Sequence, residues 1–530
     1  MMFLDRRDGS HAASVQRHSK WWLFAIILLS IVVRGWSIGN GLPYLYHPDE
    51  PHYVQISQDI IRTGDFNPHF FNYPSLFFYL NALIYLPFVL VGNITGSLRS
   101  FADIPTPSVL VLGVGYTAMP ATVLMGRILT LIISTGSVLL VYYIANRLTH
   151  NRAVSLLASL LMAVSPTNVI NSRFITPDTL VTFFVLLSFC GSVNVYQRAK
   201  TTHYVLAGVA AGLATGSKYN GVLIITALLA AHFFGEGVRD GLRERRLYGA
   251  LLAAGVAFLL TTPFAIFDFP KFISDVSSEL QHYSSGHIGM DGNPIAWYTG
   301  YLWANEGIIA LFAVVEVVRA IYMRLTPIIL LVVFPAAYFA FINAFVVRND
   351  RTLLPMMPFI FLLGASFLAR LLDSRPYLQP AMRNSPIFAG VALALVAVAF
   401  SAVQMVNGTN NKIDSIKSRE IAVAWTNQHL PKGSTIAIES YSPYIDQAYF
   451  KVGGFTRIID YDPQWYLDRK YNYLVFSQLM FGRYYNERVK YALEVEQYDD
   501  FFRSFDLVQV FHDQENEIRI YSVRQATGAP

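Results

Sequence analysis

An acidic pair, Asp49 and Glu50, sits between Pro48 and Pro51 in YLYHPDEPHYVQISQDI, residues 44–60, with His47 and His52 just outside the prolines. Proline fixes its own backbone φ, so the two carboxylates are carried on a stiffened loop. Such a pair suits proton transfer, or cation binding if the histidines join it. A solvated loop, or an acidic cap on a helix beginning near Glu50, is the structural alternative. Asp178, in NSRFITPDTLVTFF, stands where a loop becomes a helix; it reads as a helix cap that is also able to face a polar cavity. Lys218, in GLATGSKYNGV, falls at a glycine-flanked break between two apolar runs, and snorkelling is its ordinary explanation. Arg173, Arg348 and Arg351 are further cations beside apolar runs, and basic groups at that depth suit the phosphate of a lipid carrier or lipid headgroups. His282 and His287, in QHYSSGHIGMDG, add imidazoles. His47, His52 and His282 with the acidic pair form a candidate divalent-metal site, and His287 a candidate substrate contact.

The elements that position these groups are set by hydropathy. The chain has 530 residues, 54% hydrophobic and 14% charged, where soluble domains carry about 25% charged residues. Apolar runs of about 18 residues or more can cross a ~30 Å hydrocarbon layer. The first, 21–38, has tryptophans at both ends and follows a basic tail, 1–20; it reads as a signal anchor with a cytoplasmic N-terminus. Run 75–91 is bracketed by Pro74 and Pro87. If it crossed, the basic loops 146–152 and 235–249 would lie outside, against the positive-inside rule. It is therefore expected to lie along the interface, within one long outer loop, 39–120. Later runs near 121–146, 153–166, 178–196, 204–217, 221–235, 248–266, 301–322, 325–346, 353–371 and 386–406 bring the expected total to about eleven spans. The connecting charges include Arg6 and Arg7 in the tail and Arg375 and Arg383 in a late loop.

An odd number of spans puts residues 407–530 outside. That segment is polar and rich in tyrosine. It contains a helical pattern at 418–430 and strand patterns at 434–440, 471–477, 505–511 and 517–523. The expected fold class is thus a polytopic α-helical membrane protein, 21–406, with a small C-terminal extracytoplasmic α/β domain, 407–530. It has no Gly-rich phosphate fingerprint. Cys190 is the one cysteine, so no intramolecular disulfide forms. The expected partners are membrane lipids and no nucleic acid.

The motifs, taken in order over residues 21–371, resemble the GT-C superfamily of membrane glycosyltransferases with polyprenyl-phosphate sugar donors. The likeness is to the protein O-mannosyltransferase and aminoarabinose-transferase branch. HPDEPHYV resembles the acidic motif of its first outer loop, NYPSLFFYL its interfacial helix, MGRILTLIISTG its Arg-entered span, SPTNVINSRFITPD its second outer aspartate, GLATGSKYNG its glycine-lysine break and RNDRTLLPMMPF its late arginine segment. The resemblance implies that Asp49 is the catalytic carboxylate, with Glu50 as its partner, and that Asp178 and Lys218 line the same site. Where aminoarabinose transferases carry Glu-Lys before the interfacial helix, this chain has Asn72-Tyr73, which argues against a lipid-A-modifying role; Tyr73 is among the expected substrate contacts. Metal use varies in the superfamily, so a divalent metal is an open expectation. The implied reaction is inverting transfer of a sugar from a polyprenyl-phosphate donor to an acceptor hydroxyl on a protein, glycan or lipid. Asp49 would act as general base, with Lys218 and Arg348 or Arg351 neutralising the leaving phosphate. A transporter or lipid flippase is the rival reading. It calls for ionisable groups near mid-membrane and paired halves, neither of which the sequence displays.

Overall fold

The computed structural model describes residues 9–290, 292–373, 385–513 and 516–525. Arg6, Arg7, Arg375 and Arg383 lie outside the described residues. The chain opens with α1 (Gly9–Gly35), then β1 (Tyr44–Leu45), α2 (Glu50–Thr63) and α3 (Leu76–Thr95). A hairpin, β2 (Ser108–Val111) and β3 (Val114–Tyr116), follows. Next come α4 (Pro120–Thr149), α5 (Arg152–Val164), α6 (Pro166–Asn171), α7 (Asp178–Arg198), α8 (Thr201–Ser217) and α9 (Ile225–Glu236). A single turn, α10 (Val238–Gly241), leads into α11 (Arg245–Thr261), and another, α12 (Phe264–Phe267), into α13 (Phe269–Ser285). The bundle is completed by α14 (Pro294–Glu306), α15 (Ile308–Tyr322), α16 (Thr326–Ile342), α17 (Met357–Asp373) and α18 (Ser385–His429).

Local signals set these boundaries. Pro120 occupies the first turn of α4, where its missing N–H costs nothing. Asn151 caps α5 by accepting from Ala153 N at 2.9 Å. The expected 301–322 span is two helices, α14 and α15, broken at Gly307, whose φ of 63° belongs to the left-handed region. By length and composition five helices among the described residues can cross a membrane: Leu76–Thr95, Pro120–Thr149, Asp178–Arg198, Tyr219–Glu236 and Ala389–His429. The others expected as spans include α5, α16 and α17, apolar but shorter. One expectation is corrected. Pro87 does not bound the apolar run but lies inside α3, which passes that length criterion. The helical pattern at 418–430 falls on the last part of α18, which continues unbroken out of the bundle.

Small residues let α8 and α11 approach until their backbones touch. Gly208, Gly212 and Gly216 recur every fourth position along α8. A Cβ on Gly208 would lie 2.1 Å from the Ala250 carbonyl oxygen, and one on Gly212 2.2 Å from that of Ala254. This contact holds the end of α8, and with it Lys218, against α11. The core of the bundle is formed by α4, α5, α7, α9 and α17, with Val138, Leu161, Val185 and Phe361 fully buried.

The C-terminal sheet has the order β5-β4-β6-β8-β7, built from β4 (Thr435–Glu439), β5 (Lys451–Phe455), β6 (Tyr473–Ser477), β7 (Phe505–His512) and β8 (Glu517–Gln525). β5, β4 and β6 are parallel, and β8 and β7 extend the sheet antiparallel. The four expected strand segments fall on β4, β6, β7 and β8; β5 is additional. Its sequence, KVGGF, carries two glycines that weaken a strand signal. A Cβ on Gly454 would sit 2.2 Å from the Leu110 carbonyl oxygen of β2, so the hairpin of the first loop rests directly on this strand.

Gly212→Val would push a branched side chain into a carbonyl that cannot move away. We expect at least about 1–3 kcal/mol of destabilisation, read as a lower thermal midpoint and loss of a monodisperse peak in detergent. Gly249→Ala on α11, where a Cβ meets nothing within 4 Å, should elute and unfold as wild type.

Candidate active site

The loop that precedes α2 is fixed from below by a buried ion pair. Glu50 is fully buried and Arg127, on α4, is 3% exposed. Arg127 Nε donates to Glu50 Oε1 at 2.8 Å and Nη2 to Oε2 at 2.7 Å, a bidentate pairing. Arg127 Nη1 donates to the carbonyls of Ile38 and Asn40, and Ile175 N donates to Glu50 Oε1 at 3.2 Å. One carboxylate thus joins the entry to the first loop, α4 and the turn before α7. Both oxygens of Glu50 are engaged in these bonds.

Asp49, the preceding residue, is released to the opposite side. Its side chain makes no cap bond to α2 and instead pairs with Arg351, from the turn after α16. Burial acts to raise the Asp49 carboxyl, but the Arg351 guanidinium, then His47 and Lys218, outweigh it and hold the group below the usual carboxylate range. Burial also depresses the His47 imidazole, the largest influence on it. Asp49 N donates to His47 Nδ1 at 3.3 Å, so the neutral ring carries its proton on Nε2.

Asp178 and Lys218 form a second pair. Lys218 Nζ donates to Asp178 Oδ1 at 2.7 Å, and both residues are buried. The cap role open to Asp178 is not used: Pro177 takes the cap position and Asp178 is the first residue of α7. The two pairs are neighbours, since the charge of Asp178 acts on Arg351 and that of Lys218 on Asp49. Lys218 lines a cavity together with Tyr73, Asn220, Tyr283, Phe341 and Phe345. The lining is mainly aromatic and aliphatic, with Lys218 and Glu279 as its charged members. The Tyr73 ring lies 5.9 Å from Lys218 Nζ, as a cation–π neighbour.

Other expected residues are not in this cluster. Arg173 donates to Thr409 Oγ1 and the Val33 carbonyl. Arg348 Nη1 donates to the Gly292 carbonyl at 3.3 Å and so holds the loop before α14. His282 and His287 have ring centroids 4.9 Å apart, but His47 packs on Phe174 and His52 on Phe70. Among the described residues no group of three or more His, Cys, Asp or Glu converges to hold a metal, so the expected set of His47, His52 and His282 with the acidic pair is not assembled. Sequence reasoning gave no role to Arg127. The available signal was an arginine within the first turns of a long apolar helix, where only a paired charge is tolerated.

Asp178→Asn leaves a buried lysine without its counter-charge, and we expect a loss of about 3–5 kcal/mol in stability. Asp178→Asn with Lys218→Met should recover most of it. Thermal unfolding of the purified variants in detergent checks both outcomes.

Comparison with known proteins gives a consistent fold. Residues 108–275 match the family described as dolichyl-phosphate-mannose-protein mannosyltransferase. The undecaprenyl phosphate-alpha-4-amino-4-deoxy-L-arabinose arabinosyl transferase 1 of Pseudomonas fluorescens is 28% identical over 232 residues, 42% of this chain and 36% of that protein. The matched region spans about a third of the length of the curated relatives. The crystal structure of ArnT from Cupriavidus metallidurans bound to undecaprenyl phosphate superposes with a TM-score of 0.53 at 15% identity, covering 96% of this chain and 99% of that one. The Archaeoglobus fulgidus oligosaccharyltransferase in complex with Zn and sulfate gives 0.55 at 13% identity, over 93% of this chain and 72% of that one. This chain therefore shares the fold of these two glycosyltransferase structures, and its residues 108–275 match the dolichyl-phosphate-mannose-protein mannosyltransferase family.

Proposed function

We propose that this protein is a membrane glycosyltransferase that moves a sugar from a polyprenyl-phosphate donor to an acceptor hydroxyl on the extracytoplasmic side, with inversion. The observation that carries the reading is the meeting of two carboxylate–cation pairs, Asp49–Arg351 and Asp178–Lys218, with Lys218 lining an apolar cavity. A long isoprenoid with a phosphate head has that same division of character. The relative from Cupriavidus metallidurans, of the same fold, binds undecaprenyl phosphate.

In the reaction Asp49 accepts the proton of the acceptor hydroxyl as its oxygen attacks the anomeric carbon. The bond from that carbon to the phosphate oxygen breaks, and the electron pair leaves on the polyprenyl phosphate. Lys218 and Arg351 offset the charge that develops there. Attack opposite the phosphate inverts the anomeric centre. Asp178 holds Lys218 in place and contacts the sugar, and Tyr73 packs along the donor. Arg348 and His287 act from the adjoining loop that they order.

With saturating polyprenyl-phosphate sugar, Asp49→Asn should slow transfer by about 10²–10⁴-fold, measured as released polyprenyl phosphate in proteoliposomes. Wild-type turnover in that variant would remove Asp49 as the base. The pH profile supplies a second test. Because Arg351 holds the Asp49 carboxyl below its ordinary range, the acid limb of kcat/KM should lie below that of an unperturbed aspartate. Arg351→Gln removes the lowering charge and leaves burial to act, so the acid limb should move to higher pH.

A further inference from the structure

A second pocket lies on the other side of the acidic loop and shares no lining residue with the carrier cavity. It is narrow and is lined by Arg127, Arg173, Lys412, Asn40, Ser37 and Phe174, among others. It contains three cationic side chains and no acidic one. Arg127 is neutralised by Glu50, but among the described residues no carboxylate bonds Arg173. Arg173 is 4% exposed; its two bonds go to a hydroxyl and a carbonyl, and its Nε has no partner. Arg34, on α1, is fully buried, also bonds only hydroxyls and carbonyls, and lies close enough for its charge to oppose that of Arg173. Two guanidinium ions buried near each other without a carboxylate cost free energy that an anion would offset. Exposed Lys412, on α18, adds a third charge from the segment leading to the C-terminal domain.

The pocket is two rings away from the proposed base. His47 takes the Asp49 amide, the His47 ring packs 4.8 Å from Phe174, and Phe174 lines the pocket. We propose that this pocket is an oxyanion site that takes a phosphate-class group, held by Arg173 and Lys412. On the transferase reading above, on which this part rests, the group belongs to the acceptor and aligns its hydroxyl with Asp49. Guanidinium and ammonium donors in a water-poor pocket are the usual partners of such anions.

The test uses the full-length protein in neutral detergent, free of phosphate. Inorganic phosphate, titrated against chloride at equal ionic strength, should raise the thermal midpoint saturably in wild type and in Asp49→Asn. Lys412→Gln should weaken phosphate by about tenfold, and Arg173→Gln should abolish the effect. If Arg173→Gln does not fold, Lys412→Gln alone decides. Absence of a saturable shift in wild type, or wild-type affinity in Lys412→Gln, overturns the proposal. A parallel titration with short-chain phosphatidic acid separates the sources: a shift with both ligands marks a site open to free phosphate, and a shift with the lipid alone marks a headgroup site. Sugar transfer without phosphate binding would sink the subsite and leave the transferase reading. Phosphate binding without sugar transfer would keep the oxyanion site and sink its acceptor role.

Discussion

Glu50 and Arg127 are both removed from water, and neither could remain charged there alone. Isolated, each would carry a desolvation cost of several kcal/mol; together they satisfy each other in two parallel hydrogen bonds, and the remaining donors of the arginine take up the carbonyls of Ile38 and Asn40. The pair therefore does more than neutralise charge. It ties the end of the first helix, the first loop, the fourth helix and the approach to Asp178 into one rigid unit. Asp49 is adjacent in sequence to the anchor, and the proline on each side of the pair limits how the backbone can turn between the two side chains. One carboxylate is consumed in holding the loop so that its neighbour, Asp49, can pair with Arg351.

The charges beside Asp49 follow the same rule. Asp49 meets Arg351 and Asp178 meets Lys218, so four ionisable groups share a water-poor region at no net charge. Such pre-paired groups need little rearrangement when a substrate charge develops beside them, which is the physical content of electrostatic preorganisation. Arg34 and Arg173 differ, since their hydrogen bonds go to hydroxyls and carbonyls.

The first loop also carries the C-terminal domain. Its hairpin crosses the fifth strand at Gly454, Tyr441 N donates to the Leu112 carbonyl at 2.8 Å, and Tyr116 stacks on Tyr444 at 5.4 Å. The eighteenth helix runs from the bundle into the same domain without a break. The α/β domain is thus joined to the acidic loop through packed rings and backbone contacts, and Lys412 lies on the helix between them.

Much was legible in the chain itself. Apolar runs separated by short polar loops dictate a helical membrane protein, because a bilayer leaves no other way to satisfy the backbone of a crossing segment. Strand alternation marked four of the five strands of the C-terminal sheet. The residue types at Asp49, Asp178, Lys218 and Arg351 were singled out because ionisable groups beside apolar runs are expensive. What only the tertiary structure decided was pairing. Nothing local to Glu50 reveals Arg127, 77 positions away, and the same is true of Arg351 and Asp49. Nor could spacing show that Arg173 and Arg348 turn from the cluster, or that the histidines pack on separate rings. The fifth strand was hidden for a related reason: its glycines oppose a strand by propensity and are required by a backbone that arrives from residue 110. Local sequence carries the cost of each group; the fold determines which distant group offsets it.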